Sequence, residues 1–126
     1  MTSPDDRAPP PGNEILDRLA DLIEARRQAD PAESYVASLH ARGLDVMLKK
    51  LGEEAAETII AAKNPAQDAL IAEMADLWFH AIVVLAARGL HPRDILGELA
   101  RRFGLSGITE KRQRDQTVPD PQHPGT

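Results

Sequence analysis

The sequence predicts an all-α fold: a helical bundle of about five helices, built on two long central helices and dimerising. Three observations carry that reading. Apolar residues recur at spacings of three and four along most of the chain, and no segment sustains the two-residue alternation of a half-buried strand. Pro31, Pro65 and Pro92 each follow Asp, Asn or His and precede a helical pattern, as residues of a first helical turn do. Gly43, Gly89 and Gly104 fall where helices should stop in a left-handed conformation.

The first helix is expected over Asn13 to Ala29, with Ile15, Leu19, Leu22 and Ile23 on one face and Arg26 and Arg27 in its closing turn. A short second helix covers Ser34 to Arg42, with Tyr35 and Leu39 four residues apart. Asp45 is expected to cap the third, which runs to Lys63 with Met47, Leu48, Leu51, Ala55, Thr58, Ile59 and Ala62 inward. Asn64 and Pro65 read as N-cap and first position of the fourth helix, which continues to Arg88. The fifth runs from Pro92 to Phe103 on an apolar face of Ile95, Leu96, Leu99 and Phe103.

At 126 residues the chain is expected to form one domain. Residues 1–12 and 115–126 hold seven of the ten prolines and no apolar periodicity, so both are expected to be disordered tails around an all-α domain at 13–114. A net charge of −5, one Trp, one Tyr and two Phe argue against a nucleic-acid surface. The absence of cysteine excludes disulfides, thiolate metal sites and a cysteine nucleophile. No signal-peptide pattern is present, and the apolar run Leu77 to Ala87 is interrupted by His80 and short for a bilayer, so a soluble cytoplasmic protein without membrane or nucleic-acid partners is expected.

Chemistry concentrates in two acid pairs, Glu54-Ala-Ala-Glu57 and Glu73-Met-Ala-Asp76. A separation of three stacks both carboxylates of a pair on one helix face, and antiparallel neighbours would bring the pairs face to face. Glu53 lies nearer solvent within reach of Glu57, and Glu73, Asp76 and His80 share a stripe on the fourth helix inside an apolar surround. A helix apolar nearly all round is expected to be buried, and a carboxylate on it needs a partner or a metal. Oxygen-only ligands favour Mg²⁺ or Mn²⁺, and the Glu-x-x-His pairs of a di-iron bundle are missing. A hard cation on carboxylates commonly meets phosphate, for which Lys49, Lys50, Lys63 and the segment from Ser106 and Gly107 to Lys111 and Arg114 supply positive charge and donors. The plainer alternatives are a solvated face with Lys50 supporting Glu54, a satisfied core histidine at His80, and a non-catalytic scaffold of salt bridges from the acids to Lys50, Lys63 and Lys111.

The runs Ser34-Tyr-Val-Ala-Ser-Leu39, Lys49-Lys-Leu-Gly-Glu-Glu-Ala-Ala-Glu57, Glu73-Met-Ala-Asp-Leu-Trp-Phe-His80 and Ser106-Gly-Ile-Thr-Glu-Lys111 closely resemble the phosphoribosyl-ATP pyrophosphohydrolase family. That family belongs to an all-α nucleoside-triphosphate pyrophosphohydrolase superfamily with MazG-like proteins. The resemblance covers Ile15 to Arg114. It implies hydrolysis of the α–β phosphoanhydride of phosphoribosyl-ATP to phosphoribosyl-AMP and pyrophosphate, the second step of histidine biosynthesis, by a homodimer or larger assembly. It also implies Mg²⁺ held by Glu54, Glu57, Glu73 and Asp76, with Glu53 in the same cluster and Glu53, Glu54 and Glu57 as catalytic acids. Lys49, Lys50, Lys63, His80, Ser106, Gly107, Lys111 and Arg114 are the candidate substrate contacts. The chain is expected to stand alone, without the zinc cyclohydrolase fused to this domain in many organisms. A housekeeping MazG-like nucleoside-triphosphate pyrophosphohydrolase is the alternative with the same acid motif.

Overall fold

A computed structural model describes residues 12 and 14–105, and these form five α-helices with no strand among them. They are α1 (Glu14–Arg26), α2 (Tyr35–Arg42), α3 (Leu44–Ala62), α4 (Gln67–Ala87) and α5 (Pro92–Phe103). The all-α expectation holds. The tails, and with them Ser106, Gly107, Lys111 and Arg114, lie outside the described residues.

The helix ends follow capping chemistry, with three departures from expectation. α1 stops before Ala29, and Pro31 starts no helix. It lies in a turn where the Asp30 side chain accepts from the Ala32 N–H at 2.9 Å. A residue preceding proline is pushed out of the helical region, and Asp readily closes such a turn on its own backbone. Ser34 then caps α2, its Oγ accepting from the Ala37 N–H at 3.2 Å.

Asp45 does not cap α3. Gly43 both ends α2 and starts α3 at φ 100°, donating its N–H to the Leu39 carbonyl, and Asp45 sits in the first turn, where a carboxylate favours the positive end of the dipole. Asn64 likewise forms a turn, accepting from the Ala66 N–H at 2.9 Å, and leaves Ala66 as the N-cap of α4 without a side-chain cap. Gly89, at φ 72°, closes α4 with paired bonds Gly89 N–H to Ala86 O and Leu90 N–H to Leu85 O.

The described residues up to His91 form one compact unit, in which α3 packs chiefly against α4, α2 against α3, and α1 against α4 and α2. Its core is Ala20, Ile23, Val36, Leu39, Met47, Ile82, Val83 and Ala86. The inward set is therefore narrower than helical periodicity predicts. Ile15, Leu22, Leu48, Ile59 and Ala62 are exposed, whereas Ala61, not foreseen as inward, is buried. Four helices of this length cover one stripe on each neighbour, and the apolar residues flanking that stripe stay at least partly exposed.

α4 departs furthest. It is buried only from His80 onward (His80, Ile82, Val83, Ala86), while Ile71, Met74, Asp76 and Trp78 are exposed. At 21 residues it is long and apolar enough, by length and composition alone, to cross a membrane, which the shorter run Leu77 to Ala87 did not suggest. α5 belongs to the second unit. Gly104 at φ 64° ends it, Leu105 N–H returns to the Ala100 carbonyl, Glu98 pairs with both Arg101 and Arg102, and Ile95, Leu96 and Leu99 are exposed.

Candidate active site

The close pairing of α3 and α4 brings the two acid motifs together. One carboxylate oxygen from each of Glu54, Glu57 and Glu73 lies within 4.8 Å of the others. A single buried hydroxyl sets the register. Thr58 Oγ1 lies 2.7 Å from the Glu54 carbonyl on its own helix and 3.2 Å from the Glu73 carbonyl across the interface. Its one proton serves either acceptor, so Thr58 ties the acid-bearing turns of α3 and α4 to each other. The sequence reading placed Thr58 inward but gave it no part in the site; a hydroxyl in an otherwise apolar stripe, one residue after Glu57, was the available signal.

The electrostatics are those of crowded acids. The Glu54 carboxyl is held above the ordinary carboxylate value, first by loss of solvent and then by Glu57 and Asp76, with His80 partly offsetting them. Glu73 is raised as well, first by a hydrogen bond to the Glu57 carboxyl, then by desolvation and by the charges of Glu57, Glu54 and Asp76. Glu54 Oε2 and Glu73 Oε2 are buried with no hydrogen-bond partner. Unsatisfied carboxylate oxygens on converging side chains have the donor chemistry and spacing that a hard divalent cation requires. Glu54, Glu57 and Glu73 therefore fit such an ion.

The other expected residues divide. Asp76 stands one turn on from Glu73 and acts on Glu54 and Glu73 through its charge, but it is exposed rather than enclosed by apolar residues and lies outside the converging triad. Glu53 is exposed, and its carboxylate is 3.6 Å from the Lys50 ammonium; Lys50 thus supports Glu53 at a spacing of three instead of Glu54 at four. Lys49 lies on the exposed side of α3, and Lys63 is the exposed C-cap residue of α3. Neither is joined to the acids by a contact.

His80 is buried, with Nδ1 2.8 Å from the Asp76 carbonyl and Nε2 2.9 Å from the Tyr35 hydroxyl. Both ring nitrogens are occupied within the chain, as in a satisfied core histidine. Tyr35 reaches the site through that bond. The sequence shows it as part of a motif, but only the tertiary contact between the start of α2 and His80 shows where it goes.

Comparison with known proteins agrees with this geometry. The family described as phosphoribosyl-ATP pyrophosphohydrolase matches residues 16–103. A protein named phosphoribosyl-ATP pyrophosphatase from Methylococcus capsulatus is 55% identical over 101 residues, spanning 80% of this chain and 96% of the relative. One of the same name from Nitrosomonas eutropha is 52% identical over 107 residues, spanning 85% of this chain and 92% of that relative.

Proposed function

Because this chain belongs to the phosphoribosyl-ATP pyrophosphohydrolase family, we propose that it hydrolyses the α–β phosphoanhydride of phosphoribosyl-ATP, releasing phosphoribosyl-AMP and pyrophosphate in histidine biosynthesis. The observation that carries the reading is the convergence of the Glu54, Glu57 and Glu73 carboxylates from α3 and α4, two of them with buried, unpartnered oxygens.

Glu54, Glu57 and Glu73 would hold Mg²⁺, or Mn²⁺ in its place, with Asp76 completing the set from the next turn of α4. A cation bound there would supply positive charge to the phosphate oxygens and polarise water. Phosphoryl transfer of this kind depends mainly on positioning and charge. Thr58 fixes the distance between the two acid-bearing turns, so the carboxylates keep their separation when substrate arrives. Glu53, on the same turn of α3 but outside the triad, is the carboxylate left to take the proton of the attacking water, and Lys50 beside it holds its position. Lys49, Lys63 and the segment containing Ser106, Gly107, Lys111 and Arg114 provide charge for the outer phosphates.

The catalytic domain corresponds to residues 13–114, a span supported by the family match at 16–103. A second copy of the chain covers the exposed apolar side chains of Ile71, Met74 and Trp78 on α4, since clustered exposed apolar residues usually mark an interface. Carboxylates on that same helix, with polar partners on α3, favour a soluble cytoplasmic protein over a membrane span.

Rescue of a histidine auxotroph tests the function, together with an assay of phosphoribosyl-ATP against a panel of free nucleoside triphosphates. Phosphoribosyl-ATP is the expected preference, and preference for a free triphosphate would replace this reading with a housekeeping pyrophosphohydrolase. Glu57→Gln and Asp76→Asn are each expected to abolish turnover while leaving helical content unchanged. Full activity in both would remove the acids from the mechanism.

A further inference from the structure

Beside the acids lies an aromatic group that the hydrolytic chemistry leaves without a role. Tyr35, the first residue of α2, is 50% exposed, yet its hydroxyl lies 2.9 Å from Nε2 of the buried His80. The Asp76 carbonyl opposite Nδ1 can only accept, so Nδ1 carries the ring proton. In the neutral imidazole Nε2 then accepts from the tyrosine O–H. Phe79 stacks on Tyr35 with centroids 6.1 Å apart and 23° between the planes, and the His80 ring stands edge-on to both. A side chain with two torsions, held at its tip by a buried partner and on its flank by a second ring, presents its exposed surface in one orientation.

The position matches the substrate. One imidazole and two hydrogen bonds separate the Tyr35 hydroxyl from the backbone of Asp76, next to the converging acids. In a nucleotide cleaved between the α and β phosphates, a single ribose separates the base from the reacting phosphate. A surface for the base must therefore lie close beside the phosphate-handling acids. Among the four Trp, Tyr and Phe residues of the chain, Tyr35 and Phe79 form the stacked pair at this place. Stacking also suits a base whose edge carries a phosphoribosyl group, since the π-face remains open and needs no edge hydrogen bonds.

We propose that the exposed face of Tyr35, backed by Phe79 and oriented by His80, is the purine subsite on which the base of the substrate stacks. The proposal rests on the phosphoribosyl-ATP reading above. It makes Tyr35 a substrate-binding residue and His80 a positioning residue that acts through it.

Tyr35 is the only tyrosine in the chain, so a ring-labelled tyrosine reports on one residue by NMR. Saturating phosphoribosyl-AMP, which carries the base, is expected to move the Tyr35 ring signals upfield, while inorganic tripolyphosphate with Mg²⁺ leaves them in place. In steady-state kinetics, Tyr35→Leu should raise KM for phosphoribosyl-ATP roughly tenfold or more. Its kcat and its inhibition by tripolyphosphate should stay within about threefold of the parent, and Tyr35→Phe, which keeps the face but loses the bond to His80, should raise KM by less than Tyr35→Leu does. A KM for folded Tyr35→Leu within about twofold of the parent would overturn the subsite, as would an equal weakening of tripolyphosphate inhibition. Should Tyr35→Leu fail to fold, an unmoved ring signal in the parent protein overturns it. Failure of the underlying reading shows separately, as absence of phosphoribosyl-ATP hydrolysis by the parent protein.

Discussion

The two halves of α4 are both mostly apolar and differ sharply in fate. From His80 onward the helix places Ile82 (5% exposed), Val83 and Ala86 in the core with Ile23, Leu39 and Met47. Before His80, Ile71 (66% exposed), Met74 and Trp78 face outward, and the same stretch carries Glu73 and Asp76. Hydrophobicity alone does not bury a residue, because burial needs a neighbour, and the core shared with Ile23, Leu39 and Met47 reaches only the late part of α4. The late half is a structural anchor. The early half is a working surface, with Glu73 turned toward the acids of α3 and the apolar side chains of Ile71, Met74 and Trp78 left exposed.

The sharpest way to break that contrast is to make one chemical change in both halves. Ile82→Ala is expected to cost about 2–5 kcal/mol at any protein concentration, from lost transfer energy plus a residual cavity. Ile71→Ala should change the stability of dilute protein by less than about 0.5 kcal/mol. Its effect should emerge instead as weaker association, and hence as a melting temperature that depends more steeply on concentration. Equal costs measured by chemical denaturation across a concentration series would erase the distinction between the halves. Trp78→Glu extends the test: light scattering at micromolar concentration should show the parent as a dimer or larger and the variant shifted toward monomer. A monomeric parent would leave the early half without its partner.

The acids give a second, smaller contrast, between protein with and without metal. Glu54 and Glu73 have carboxyls held above the ordinary value of 4.5, so between that value and the raised one the folded protein binds more protons than the unfolded chain. Metal-free stability should accordingly fall as pH rises through that window and stay reduced above it. The Glu73→Gln variant removes one member of the crowd. Its metal-free melting temperature at neutral pH should exceed the parent's by a few degrees, while the rise produced by Mg²⁺ is lost. A parent whose melting temperature ignores both pH in this range and Mg²⁺ would match the salt-bridged scaffold instead.

Thr58→Val tests the contact between the two acid-bearing helices alone. The two carbonyls it contacts retain partners within their own helices, so the loss should be about 1 kcal/mol, with a larger proportional loss of Mg²⁺ affinity by calorimetry if Thr58 sets the spacing of the acids.

The helices were legible because their signals are local. Gly43, Gly89 and Gly104 each adopt positive φ as their placement implied, and Ser34 caps α2. The errors fell where two local signals compete. Asp30 and Asn64 each precede proline, and their side chains close turns on the backbone instead of starting a helix. The acid pairs were equally plain, since a spacing of three within each motif places both carboxylates on one face before any packing is known.

What the sequence by itself determined is therefore the set of helices, the faces of the acids and the family. Only the tertiary structure decided which carboxylates converge: Glu54, Glu57 and Glu73 meet because α3 and α4 pack in a register pinned by Thr58, while Asp76 stays at the margin. It also decided that Ile59, Ile60, Ile71 and Trp78 remain outside the core and that Tyr35 reaches His80 forty-five positions away. Periodicity specifies the face of a helix on which a side chain lies. Whether that face meets another helix, a second copy or water depends on contacts between residues far apart in the chain, which no local pattern records.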